Sequence, residues 1–299
     1  TKTKAKQLRR QAPPLVADFR TKTMPQIADR LAIWQAVDYA ALPQHKLIET
    51  IQNLHHLFAQ EIYVEAEKIN ILASFTMGEA SAATAGDASL RRYLMQTDLP
   101  NTPSALLASC HGNRETAMAL MGHRSIFDYE LSTPRYSEAP ALLWPLLENP
   151  IEQTSGQTAL PANLPHDLKK TITLALTFQD LKEQSKHEAL RILAELRRAV
   201  LTLGATSGLD DLIFQFSLDE LQHNDWSAPK ELLQLAQARK SQEDTRKVAA
   251  PTQVQLTLRD CEMLSLGVQA PLTEGALAGT CVAGLGRVTA RAFWVTDET

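Results

Sequence analysis

Apolar residues recur at three- and four-residue steps from Leu47 onward. Leu47, Ile51, Leu54, Phe58, Ile62, Ile69 and Leu72 fall on one side of a 3.6-residue period, the mark of an amphipathic helix. Gly78 and the small-residue run Ser81–Gly86 are expected to end it. A second helical stretch is expected from about Leu90, broken by Pro100 and Pro103, and resuming through Ala105–Met121. The segment Gly122–Pro140 (GHRSIFDYELSTPRYSEAP) is rich in Pro, Ser and Thr and reads as a structured loop. Residues 149–166 carry three prolines and no hydrophobic period, so they read as a connection between helical segments.

The clearest helix runs from Leu168 to Leu203, with Ala189, Leu193, Leu196, Val200 and Leu203 as its seam and Gly204 placed to stop it. Ser217-Leu-Asp-Glu220 matches a capping box, and Ser227 is expected to open a further helix through Leu232, Leu233 and Ala236. The period then changes from helical to two. Val254, Leu256 and Leu258 alternate with Gln255, Thr257 and Arg259, and Val288, Ala290, Ala292 and Trp294 alternate with Arg287, Thr289, Arg291 and Phe293. The expected fold is mainly α: a large helical domain over residues 1–250, then a linker and the opening β-strands of a truncated second domain over 251–299.

Composition narrows the function classes. The 299 residues are 44% hydrophobic and 21% charged, which excludes disordered and fibrous classes. No apolar run nears the roughly 20 residues of a spanning helix, so no membrane partner is expected. Lys and Arg number 30 against 34 Asp and Glu, with no large basic face, so no nucleic-acid partner is expected either. The basic start TKTKAKQLRR reads as a solvated tail. Cys110, Cys261 and Cys281 show no metal or disulfide spacing, which fits a reducing, cytoplasmic setting. The first residue is Thr1, so the chain is read as a piece of a longer protein.

Candidate chemistry is sparse. The eight histidines include no HExxH, and the adjacent His55 and His56 point some 100° apart on a helix, so no metal is assigned. His187-Glu188 reads as part of a solvated charged face. Gly284-Leu285-Gly286 precedes a strand where a dinucleotide loop would need a helix. Cys110 reads as a buried structural cysteine. The loop is different: His123, Arg124, Glu130 and Arg135, with Tyr136 and Glu138, gather on one connection after a helix. Arginine there can hold a carboxylate or phosphate in bidentate fashion, and histidine can donate or take a proton. Glu130 is expected to orient one of the arginines. The bland alternative is a salt-bridge network that pins a long loop.

Three stretches resemble the phosphoenolpyruvate-utilising enzyme superfamily, which includes phosphoenolpyruvate synthase, pyruvate phosphate dikinase and rifampin phosphotransferase. They are MGHRSIFDYELSTPRYSEAP, FQDLKEQSKHEALRILAELRRAVLTLGATSGLDDLIFQFSLDEL and GTCVAGLGRVTARAFWV, with weaker similarity in EIYVEAEKINILA. Ala283-Gly284-Leu285-Gly286 stands where Ser-Pro-Gly is usual, and Ser125 and Ile126 follow the GHR where small residues are usual. The resemblance implies a central helical domain that holds a small-molecule acceptor, followed by the start of a swivelling phosphohistidine domain. It implies a parent phosphotransferase that uses ATP and Mg, with ATP-grasp and phosphohistidine domains of the same parent chain as partners. The carrier histidine's motif is not in this chain, so the fragment itself is expected to bind no cofactor and to be inactive alone. His123, Arg124, Glu130 and Arg135 are then the residues expected to meet the acceptor or the incoming phosphoryl group. The alternative is a non-catalytic helical binding module derived from that family.

Overall fold

A computed structural model of the chain describes residues 12–96, 99–148, 160, 163–224, 226, 228–249, 254–256 and 288–290. The basic start, Cys261, Cys281, the 284–286 glycines and most of the 149–166 connection lie outside the described residues. The fold is mainly helical. In chain order come α1 (12–18), α2 (Met24–Gln35), α3 (Gln44–His56), α4 (Tyr63–Ala83), α5 (Ala88–Gln96), α6 (Pro103–Ser109), α7 (Arg114–Met121) and α8 (Trp144–Glu148). They are followed by α9 (His166–Ser207), α10 (Leu218–His223) and α11 (Pro229–Ala249). The chain divides into two compact units, residues 1–233 and 234–299.

In the first unit α9 is the axis, 42 residues long. Its expected seam is real: Ala189, Leu193, Leu196, Val200 and Leu203 are all buried. Nearer its start, Phe178 and Leu181 pack with Phe19, Ile69 and Ala73. Ile172 and Ala175 pack with Ala80 of α4 and with Leu90 and Leu94 of α5. Burying a side chain such as Phe178 contributes about 1.5–3 kcal/mol, so this dry contact is the main stabilising element. Leu107, Cys110, Ala117, Met121, Tyr136, Leu143 and Leu147 form a separate cluster around α6, α7 and α8, and Tyr136 anchors the 122–140 loop in it. Cys110 is buried, as expected.

Several boundaries differ from the sequence expectation. The helix through Leu47 runs past Gly78, which lies inside α4, and ends at Ala83 within the small-residue run Ser81–Gly86, as expected; on the way it passes through a π-helical turn at Leu57–Ile62. The wider turn shifts the helical phase, so Leu57 is buried while Phe58 is partly exposed against Tyr63. Ala105–Met121 is not one helix either. It breaks at His111 and Gly112, both at positive φ, before Asn113 caps α7 with its side chain.

Gly204 does not stop α9. The helix runs to Ser207 and ends on the left-handed Gly208. Gly204 is needed for a close approach instead: a Cβ there would lie 2.4 Å from the Asp210 carbonyl oxygen. The capping box at Ser217 and Glu220 is formed as expected. In the second unit, Val254–Leu256 and Val288–Ala290 pair antiparallel, with Val254 opposite Ala290 and Leu256 opposite Val288. The rest of the expected β unit falls on residues outside those described.

Candidate functional site

The 122–140 loop closes on itself as a ring. The Tyr136 amide donates to the Arg124 carbonyl and the Ser137 amide to the Gly122 carbonyl, both at 2.8 Å. The tight exit from α7 needs a glycine, because a Cβ on Gly122 would lie 2.6 Å from the Met118 carbonyl oxygen. The ring carries two buried arginines, Arg124 at 4% exposure and Arg135 at 1%.

Arg124 donates to both carboxylate oxygens of Asp128 through Nε and Nη2, and Lys186 of α9 reaches the same carboxylate at 3.0 Å. Burial pushes the Asp128 carboxyl up, but hydrogen bonds and charge from Arg124 and Lys186 outweigh it and leave it below the ordinary carboxylate range. Arg135 donates through Nη1 to the Ser125 hydroxyl (3.0 Å) and the Asp128 carbonyl (2.8 Å). Its Nε and Nη2 have no hydrogen-bond partner among the described residues. Burial and the charge of Arg197 lower its pKa, and the nearby carboxylates of Asp128, Glu138 and Glu130 offset this only in part. From α9, Arg197 grips Glu138 through Nε and Nη2 at 2.6–3.0 Å and donates Nη1 to the Leu131 carbonyl at 2.6 Å. Its guanidinium lies over the Phe214 ring.

Glu130 does not orient an arginine. Its carboxylate accepts from the amide and hydroxyl of Ser132, closing its own exposed turn. The carboxylates that orient arginines are Asp128 and Glu138. His187 is not a solvated residue: its ring lies 4.4 Å from the His123 ring, edge to face. Burial is the main reason both imidazoles stay neutral. His187 and the charges of Arg191 and Arg124 lower His123 further, the charges of Arg124 and Arg191 lower His187, and Asp128 opposes both, so His123 is pushed down to about 2 and His187 to about 4. His123 can therefore hydrogen-bond a ligand at neutral pH but is too weak a base to take a proton from one. Its Nε2 and the His187 Nδ1 have no partner among the described residues.

His123 and Arg135 line a cleft of about 680 Å³. One wall is a stripe of α9: Arg191, Ala194, Glu195, Arg198, Leu201, Thr202 and Ala205, spaced at the helical period. The facing wall comes from Met118 and Ala119 of α7, the ring residues Gly122, Ser137 and Glu138, and Gln35 and Ala40. Arg198 is committed elsewhere. It pairs with Glu195 at 2.7 Å and donates to the carbonyls of Trp34, Gln35 and Val37 at the end of α2. Arg124 does not line the cleft; it supports the loop from behind.

Asp128, Lys186, His187, Arg191 and Arg197 were missed as site residues. The signal for the α9 members was a second, polar stripe at helical spacing beside the apolar seam. Among the described residues, no group of three or more His, Cys, Asp or Glu is placed to hold a metal ion. No helix among them is long and apolar enough to cross a membrane. Compared with protein-family models, curated proteins and solved structures, the chain matches none.

Proposed function

We propose that the helical region is the acceptor-binding part of a multidomain phosphotransferase. In this reading, a phosphoryl group from ATP or phosphoenolpyruvate passes through a phosphohistidine to a small molecule held in the cleft. ATP, Mg and the phosphohistidine belong to other domains of the parent protein, and the setting is the cytoplasm. The observation that supports the reading is Arg135, a residue of the cleft wall almost wholly buried on the ring that carries the family resemblance, whose buried Nε and Nη2 have no hydrogen-bond partner among the described residues. A fixed guanidinium at such a place neutralises the charge of an anionic group or of an arriving phosphoryl oxygen.

His123 favours a second reading. An imidazole held near a pKa of 2 does not activate a hydroxyl, and that suits a binding module with no catalytic step of its own. The experiment that separates the two is transfer of radiolabelled phosphate from ATP or phosphoenolpyruvate to a hydroxyl acceptor by the whole protein. The phosphotransferase reading expects transfer, with kcat/KM reduced about tenfold or more in Arg135→Lys, which keeps the charge and loses the planar fork. No transfer from either donor overturns the phosphotransferase reading.

A further inference from the structure

Three buried arginines meet at the 122–140 ring, and they use the same edge of the guanidinium differently. Arg124 gives its Nε and Nη2 edge to the Asp128 carboxylate. Arg197 gives the same edge to the Glu138 carboxylate. Arg135, the most buried of the three, spends Nη1 on Ser125 and Asp128 and leaves Nε and Nη2 without a partner among the described residues. That edge is the side-on fork whose two parallel N–H groups match the two oxygens of a carboxylate or phosphate. Arg135 lines the cleft, and Arg124 does not.

We propose that the cleft binds an organic oxyanion, a carboxylate or phosphate monoester with an apolar body, whose two oxygens take the Nε and Nη2 edge of Arg135 as Asp128 and Glu138 take those of its neighbours. The two Nη1 hydrogen bonds orient the guanidinium plane, and Nε and Nη2 lie buried beneath the cleft wall, so a ligand's oxygens reach an edge that is already oriented once that wall gives way. The neutral His123 beside it supplies a hydrogen bond without adding charge. Met118, Ala119, Ala194 and Leu201 give the body of the ligand an apolar surface. Glu138 and Glu195 also face the cleft, but each already holds an arginine, Arg197 and Arg198. The carboxylates therefore leave Arg135 as the group with binding capacity to spare.

This rests on the cleft being a ligand site and not on phosphoryl transfer. The test is nitrogen-15 NMR of the full chain, following the Arg135 Nε–H resonance during titration with benzoate, phenyl phosphate, inorganic phosphate and the neutral benzamide. The Arg135→Lys variant assigns that resonance by its disappearance. The expected result is a saturable shift with benzoate or phenyl phosphate, no response to benzamide, and weaker binding to inorganic phosphate. Affinity should fall about tenfold or more in Arg135→Lys. No movement of the Arg135 signal with either organic anion overturns the inference, and so does equal binding of benzamide. Inorganic phosphate binding as tightly as phenyl phosphate removes the apolar body from it. If Arg135→Lys does not fold, the wild-type signal is assigned by through-bond correlation and decides alone. A protein that binds these anions and transfers no phosphate keeps this inference and loses the phosphotransferase.

Discussion

The same helix holds two regions together by opposite means. Along α9 an apolar seam runs from Ile172, Ala175, Phe178 and Leu181, which meet Ile69, Ala73 and Ala80, on through Ala189, Leu193, Leu196, Val200 and Leu203. Beside it, from Lys186 onward, Lys186, His187 and Arg197 face a polar ring and meet Asp128, His123 and Glu138. The seam is tolerant: its stabilisation scales with buried area, and swaps of similar volume cost little. The ring is unforgiving, because each buried charge depends on a named partner and costs several times more when left alone. A protein that needs only stability would extend the seam. The ring fixes three guanidinium planes, that of Arg135 at the cleft, which apolar packing cannot do.

Acid should break this comparison most strongly, by unfolding the ring's side first. His123 and His187 have folded pKa values of about 2 and about 4, below the ordinary 6.5. The unfolded chain therefore takes up protons before the folded one. The stability these two groups leave intact is fully present above pH 6.5 and is lost as pH falls toward 4, and further still for His123. Each pKa unit separating the two states is worth about 1.4 kcal/mol. Urea unfolding at pH 7, 5.5 and 4.5 should show a falling midpoint, and His187→Gln should flatten that fall; an unchanged slope would show that these rings are solvated.

Truncation in the seam comes next. Phe178→Ala removes a fully buried ring and should cost about 3–5 kcal/mol, read from the urea midpoint at pH 7. Breaking one charge pair is somewhat smaller, since Glu138 keeps a side-chain exposure of 35%. Arg197→Met should cost about 2–4 kcal/mol, and adding Glu138→Gln should recover part of it. A double variant no more stable than Arg197→Met would mean that Arg197 acts through packing on Phe214 and not through its charge. The smallest effect belongs to neither region: Ser217→Ala removes the capping box of α10 and should cost about 1 kcal/mol.

The seam was legible in the sequence because burial along a helix writes itself as a period. Ala189, Leu193, Leu196, Val200 and Leu203 stand three or four apart, and all five are inside. The Ser217–Glu220 cap was legible because its partners are three residues apart. The ring was legible only as an inventory. His123, Arg124 and Arg135 are on it, but the choice of carboxylate partner is a matter of geometry. Glu130 and Asp128 are equally plausible on paper; Glu130 turns outward to Ser132, and Asp128 turns inward to Arg124. Arg197 lies 59 residues from its partner Glu138, and no local pattern joins them. The π turn at Leu57–Ile62 was hidden for a related reason, since an inserted turn shifts the phase without changing the composition.

The position of α9 in the chain has a consequence for how the protein is made. Synthesis runs from the N-terminus, so Ile69 and Ala73 leave the ribosome well before Phe178, the residue that covers them. At about 5–20 residues per second, the apolar faces of α3 and α4 wait several seconds for their partner. During that interval only the earlier partners are present, Phe19 for Ile69 and Ala73 and then Leu90 and Leu94 for Ala80, and short helices are marginal alone. The contact between α4 and α9 is therefore a long-range one that forms only once α9 has emerged.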